Sequence, residues 1–190
     1  VGEFRDATRL HHGFKDSMEK RISCMLGSEG ACIKLGDMYR TGYGYGFGKI
    51  DKDEARSKET YERAVKLYDQ NCTAGKLGSC FRLAAIYTEG ELVDKDPVRA
   101  IPLYKRACDS GKFAESCYRL GELYATTEGI DVESDALEKA YAQACEGGRA
   151  LGCKKLSRMY SKGEGVGRDR NRGYTYWEKC KAINPKQCPD

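Results

Sequence analysis

The sequence predicts an all-α protein, an α-solenoid of about five disulfide-stapled helix-turn-helix repeats wound as a right-handed superhelix, and three observations carry that expectation. Ten cysteines fall into five pairs, Cys24/Cys32, Cys72/Cys80, Cys108/Cys117, Cys145/Cys153 and Cys180/Cys188, with none left over. The pairs recur at a steady period, since 36, 37 and 35 residues separate Cys72, Cys108, Cys145 and Cys180. A common pattern, C-x-x-L-[GAS]-x-x-Y-x-x-G, begins at the second cysteine of each complete repeat, with the glycine delayed in the third.

An even cysteine count at regular spacing marks a disulfide framework, and such frameworks persist only in oxidising compartments. Export to the periplasm or beyond the cell follows as an expectation. Structural zinc is the rival use of cysteine pairs. It favours spacings of two to four residues and often recruits histidine, whereas seven or eight residues intervene here and the only histidines are His11 and His12. No metal and no cofactor is assigned.

The repeats are expected near residues 5–42, 51–90, 96–129, 133–163 and 169–190, the last truncated, as a single solenoid domain over 1–190. In the second helix of each repeat, steps of three and four align cysteine, leucine and tyrosine: Cys32, Leu35 and Tyr39; Cys80, Leu83 and Tyr87; Cys117, Leu120 and Tyr124; Cys153, Leu156 and Tyr160. That spacing places all three on one helical face. Glycine ends the stripe at Gly42, Gly90 and Gly163, and is delayed to Gly129 in the third repeat. Small residues at Gly36, Ala84, Gly121 and Ser157 allow close helix approach. In the first helix, a tyrosine stands four positions before the first cysteine, as Tyr68, Tyr104, Tyr141 and Tyr176, also on a helical stripe. Each cysteine pair then joins the end of one helix to the start of the next across the turn of an αα-hairpin.

Asp96 followed by Pro97 suits a helix N-cap and first turn. Pro102 falls where the same helix should be running, so a kink or a late start is expected there. The interval from Cys24 to Cys72 is 48 residues, and the excess lies in Thr41–Lys52 around a glycine and aromatic run, Gly42 to Gly48. Such a run reads as a flexible connector, with a binding loop as the alternative.

With these motifs in hand, the chain resembles the Sel-one-like repeat family, relatives of the tetratricopeptide class, and within it the secreted cysteine-rich subgroup first described from Helicobacter. The resemblance covers four units; the fifth keeps its first helix and cysteine pair, and residues 1–20 match weakly. It implies a curved surface for docking proteins or peptides, with a groove lined mainly by the first helices of the repeats. Some members neutralise interbacterial toxins as periplasmic immunity proteins, and penicillin-binding or weak β-lactamase activity is ascribed to cysteine-rich relatives.

That last chemistry needs S-x-x-K with S-D-N and K-T-G partners. One S-x-x-K occurs, at Ser17 to Lys20, and neither partner motif appears, so no catalytic residue is assigned and a non-enzymatic role is expected. The glycine runs at Gly42–Gly48 and Gly163–Gly167 alternate rather than follow G-x-G-x-x-G, and His11-His12 reads as an exposed polar pair. Cysteines engaged in pairs leave no thiol nucleophile.

The net charge of +4 hides an asymmetry: residues 149–190 carry 11 basic and 4 acidic groups, residues 51–148 carry 14 and 19. Nucleic acid is an unlikely partner because the basic excess is local and no recognition motif accompanies it. No apolar stretch reaches the eighteen residues a membrane-spanning helix needs. Since export is inferred without a visible leader, a mature form is expected, a signal peptide or lipid anchor having been removed. The expected role is an exported monomer that binds a protein or peptide, with a bacterial effector as one candidate partner. If the tyrosine stripe packs inward, the positions three before the first cysteine turn toward the groove: Asp69, Lys105, Ala142 and Trp177. Trp177 is the expected aromatic anchor, or alternatively the cap of the last repeat.

Overall fold

The computed structural model describes residues 17–43, 50–130 and 135–188. His11, His12, most of the Gly42–Gly48 run and the first four residues lie outside them. Nine helices and no strand are found among the described residues. The helices belong to two compact units, Val1–Lys95 and Asp96–Asp190.

In the first unit, α1 (17–25) and α2 (Glu29–Thr41) form one hairpin, α3 (Glu54–Thr73) and α4 (Leu77–Glu89) the next. The second unit holds α5 (Pro97–Asp109) with α6 (Ala114–Thr126), α7 (Ala136–Glu146) with α8 (Ala150–Lys162), and α9 (Arg170–Ile183). Capping chemistry sets several of these starts. Ser28 accepts a hydrogen bond from the Ala31 amide, Asp53 from Arg56, Asp96 from Arg99, and Asp169 from Asn171 and Arg172. At the other end, Gly90 closes α4 in the left-handed region, φ 73°, where a Cβ would lie 2.8 Å from that of Lys95. Glycine there both stops the helix and lets the following loop fold back on it.

All five cysteine pairs are disulfides, each joining the last turn of one helix to the first turn of the next, or to the turn after α9 in the last case. The Cα separations of the first four lie between 4.6 and 4.7 Å, and that of Cys180–Cys188 is 6.0 Å. Every one of these cysteines is buried. Around them sit Leu35, Leu83, Leu120 and Leu156, with Tyr39, Tyr87 and Tyr160, as the stripe requires; Tyr124 is only half-buried.

The tyrosines four before the first cysteine divide. Tyr104 and Tyr141 are buried, whereas Tyr68 and Tyr176 are half-buried. Small residues in the second helices do serve close approach: a Cβ on Gly121 would come within 2.5 Å of the Tyr141 ring, and Gly36 lies against Tyr61 in the same way. Of the two expectations at Pro102, a kink or a late start, the late start is not met. Helix α5 begins at Pro97, not late, and runs uninterrupted through Pro102 to Asp109. Pro102 is exposed, as is Val98 one turn before it, whose carbonyl is the one that proline leaves without its helical partner.

Candidate functional site

Two clefts open on the first unit. The larger, about 440 Å³, is walled by α2 and α4 with α3 behind and the loop at Glu91 and Leu92 at its edge. Ile33 and Asp37 come from α2, Tyr68 from α3, and Arg82, Ile86 and Glu89 from α4. Asp37 is engaged: it accepts from the Tyr61 hydroxyl at 2.7 Å and from Arg40 at 3.1 Å. Burial, and then that hydrogen bond, push the Tyr61 hydroxyl above its ordinary range. Tyr68 is pushed up by burial and by the Glu29 carboxylate, with Arg82 pulling the other way. Arg82, Glu89 and Glu91 have no hydrogen bond or ion pair among the described residues. An apolar floor with uncommitted charges of both signs suits a polypeptide segment.

The smaller cleft, about 250 Å³, lies between α1 and α3, the first helices of successive repeats, against Leu35 and Tyr39 of α2. Its rim carries Arg21, Arg56, Glu59 and Arg63. Arg56 pairs with its cap Asp53 at 3.3 Å and lies over the Tyr39 ring. Arg63 donates to the Met25 carbonyl at 3.3 Å.

In the second unit, α6, α7 and α8 share a connected network. Glu122 of α6 accepts from the Tyr141 hydroxyl at 2.5 Å and from Lys155 at 2.8 Å. Lys155 also lies over the Tyr141 ring, and the Tyr118 ring packs 6.2 Å from it. Arg149 covers Tyr118 and pairs with Glu115, which also holds Arg119. Burial alone would raise the Glu122 carboxyl, yet the bonds from Lys155 and Tyr141 hold it below its ordinary range. Tyr141 is pushed strongly up, first by burial and then by Glu122.

Of the row expected to face a groove, Asp69 lies in the first unit and is exposed; Lys105, Ala142 and Trp177 lie in the second. Lys105 is spent on Asp109 at 2.9 Å. Ala142 and Trp177 are half-buried and pack against the cluster built on Tyr141, Leu156 and Cys180. None of the four lines either cleft. Ser17 starts the described part of α1, and Lys20 pairs with Glu19. No group of three metal-ligating side chains comes together among the described residues, and no helix there is long and apolar enough to cross a membrane.

What the motif reading missed is a second register. Two positions after the second cysteine stands a cation in every complete repeat, Lys34, Arg82, Arg119 and Lys155, and five positions after it an acid in the first and third, Asp37 and Glu122. Both were visible as repeats of charge.

Stacked, disulfide-closed hairpins on this period define a helical-repeat protein of the solenoid class, and comparison with known proteins places it. The family model for the Sel1 repeat matches residues 31–70, 78–112, 114–148 and 150–179, and the chain belongs to that family. Each matched stretch runs from a second helix into the following first helix, the pairing that packs most extensively in α2–α3, α6–α7 and α8–α9. Among solved structures, the chain is similar to a protective antigen present in uropathogenic Escherichia coli strains that displays an SLR fold: 24% identity, TM-score 0.62, 88% of this chain and 33% of that one. It is also similar to a Sel1 repeat protein from Oxalobacter formigenes, at 22% identity and TM-score 0.59, over 86% of this chain and 61% of that one. The chain thus spans a third and about three fifths of these neighbours' lengths, and the likeness shows the solenoid fold. An immunity protein from Pseudomonas aeruginosa aligns more loosely, at 17% identity and TM-score 0.46, over 90% of this chain and 75% of that one. No curated protein matches the sequence.

Proposed function

We propose that this chain is an exported protein-interaction module that receives a peptide or loop of its partner on the helix faces of its repeats. The observation that carries the reading is the 440 Å³ cleft of the first unit, where Tyr68 and Ile86 offer apolar surface beside the uncommitted charges of Arg82 and Glu89. Five buried disulfides support an oxidising compartment outside the cytoplasm, the periplasm or the extracellular space. Asp69, Lys105, Ala142 and Trp177 are proposed as a second contact row, with Trp177 as its aromatic anchor.

The test is cross-linked affinity capture from the native source with the wild-type chain and an Arg82→Glu/Tyr68→Ala variant, read by mass spectrometry with melting curves as a folding control. A partner captured in stoichiometric amount and lost with the folded variant supports the reading. Equal capture by both chains contradicts the assignment to this cleft. Trp177→Ala tests the second row: a normal melt with weakened capture assigns an anchor, a lowered melt with normal capture assigns a cap. A single tight bacterial effector among the captured proteins would favour an immunity role.

A further inference from the structure

The smaller cleft has a chemistry of its own. Three guanidinium groups, Arg21, Arg56 and Arg63, converge on it with one carboxylate, Glu59, while its inner wall is Leu35 and Tyr39. Arg21 has no hydrogen bond or ion pair among the described residues, and Arg63 spends only a backbone contact. With Arg56 paired to Asp53, the three arginines exceed Glu59 and Asp53 by one positive charge, and Arg21 and Arg63 over a semi-apolar floor attract carboxylates and repel cations.

Next to it, α1 leaves a stripe of large apolar side chains in solvent. Met18 is 49% exposed, Ile22 55% and Met25 71%, at spacings of four and three, and Leu26, 82% exposed, follows in the turn. Those spacings put the first three on one helical face. The corresponding positions of the other repeats are mostly polar or charged, for example Lys66, Gln70 and Thr73 in the second and Lys139, Gln143 and Glu146 in the fourth. The stripe is therefore peculiar to the first hairpin. Met25 belongs to both features, lining the cleft and ending the stripe.

We propose that the α1–α3 cleft is a docking site for an acidic amphipathic peptide segment, its carboxylates on Arg21, Arg56 and Arg63 and its apolar side chains on Met25 and the α1 stripe. This deepens the interaction-module reading and rests on it, but assigns a different cleft and a partner of defined chemistry. The charge excess selects the occupant: a basic segment would meet three arginines, and a neutral one would leave Arg21 unpaired and Arg63 with only its backbone contact. Residues 1–16, which precede α1, carry Glu3, Asp6 and Asp16 with Arg5, Arg9 and Lys15 among Phe4, Leu10 and Phe14, and this amphipathic stretch of the chain itself is the competing occupant that the test must separate.

The test is fluorescence anisotropy on the full oxidised chain. The probe is a labelled twelve-residue peptide of Glu and Leu at helical spacing, with Gln/Leu and Lys/Leu counterparts at low and high salt. The expected result is Glu/Leu binding at least tenfold tighter than Gln/Leu and weakened by salt. Arg21→Glu/Arg63→Glu should lose at least tenfold, while Lys112→Glu/Arg170→Glu in the second unit, of equal net charge, should bind as wild type. Melting curves check that both variants fold, and Arg21→Gln/Arg63→Gln replaces the reversal if that variant does not. Equal affinity for the three peptides, or equal loss in both double variants, overturns the proposal. Binding that appears only after residues 1–16 are deleted would overturn it in favour of the N-terminus as occupant. Loss with Arg82→Glu/Tyr68→Ala instead overturns it while leaving the module reading intact.

Discussion

The two units answer one packing problem in opposite ways. In the first, Ile33, Asp37, Tyr68, Arg82 and Ile86 line open space beside the Tyr61–Asp37 bond; in the second, Tyr118, Glu122, Tyr141 and Lys155 close on one another. Two changes account for most of the difference. Tyr118 replaces Ile33 with a ring that reaches Tyr141, and Glu122 is one methylene longer than Asp37, enough to join Tyr141 to Lys155. Asp37 accepts from Tyr61 as Glu122 does from Tyr141, but its cation is Arg40, leaving Arg82 without a carboxylate. Binding surface and structural ballast are alternative uses of one register on this scaffold. A repeat that satisfies its own charges has little left to offer a partner.

The largest effect should come from removing what both units share. Closing a loop of about nine residues stabilises by roughly 2.5 kcal/mol on the chain-entropy model. Five such closures rival the total stability of a typical domain, ~5–15 kcal/mol. Strong reductant should therefore collapse the thermal transition of both units, followed by circular dichroism; an unchanged melt would remove the staples from the account.

Exchanging the distinguishing residue comes next. Tyr118→Ile should cost about 1–3 kcal/mol in urea unfolding, because half-buried aromatic surface and its contact with Tyr141 are lost. Ile33→Tyr should fill the first cleft, change stability little, and reduce partner capture. If the first substitution costs nothing, the network is not ballast.

Acid should then separate the units. Glu122 is held below its ordinary range, so its contribution is complete above the unfolded glutamate pKa of about 4.3 and is lost as the pH falls through the folded value. Stability measured between pH 6 and pH 3 should fall more steeply in wild type than in Glu122→Gln. Parallel curves would remove Glu122 from that dependence. The smallest expected effect is that of Tyr141→Phe, about 1 kcal/mol for one hydroxyl hydrogen bond to a carboxylate that keeps Lys155.

Much of the architecture was legible because it is periodic. Cysteine, leucine and tyrosine recur at helical steps, so Leu35, Leu83, Leu120 and Leu156 could be placed in the core before any coordinates. The late start expected at Pro102 is not met because Asp96 and Pro97 already begin the helix a turn earlier. The candidate site was less legible for a different reason. The groove row was drawn from apolar periodicity alone, whereas the clefts are made by charges whose meaning depends on whether a neighbouring repeat supplies the counter-charge. Asp37 and Glu122 look equivalent in sequence, and each accepts from the tyrosine packed on the glycine before it, Tyr61 on Gly36 and Tyr141 on Gly121, but the first takes Arg40 as its cation and the second Lys155.

The contrast between an open Tyr68 and a closed Tyr141 is the centre of the account, and tyrosine-selective acetylation of the folded, oxidised chain, mapped by mass spectrometry, reads it directly. Tyr68 should be modified early, while Tyr141, buried and donating to Glu122, should stay unmodified until the chain unfolds. Equal labelling of the two, or Tyr141 first, would contradict the assignment of one unit to binding and the other to support.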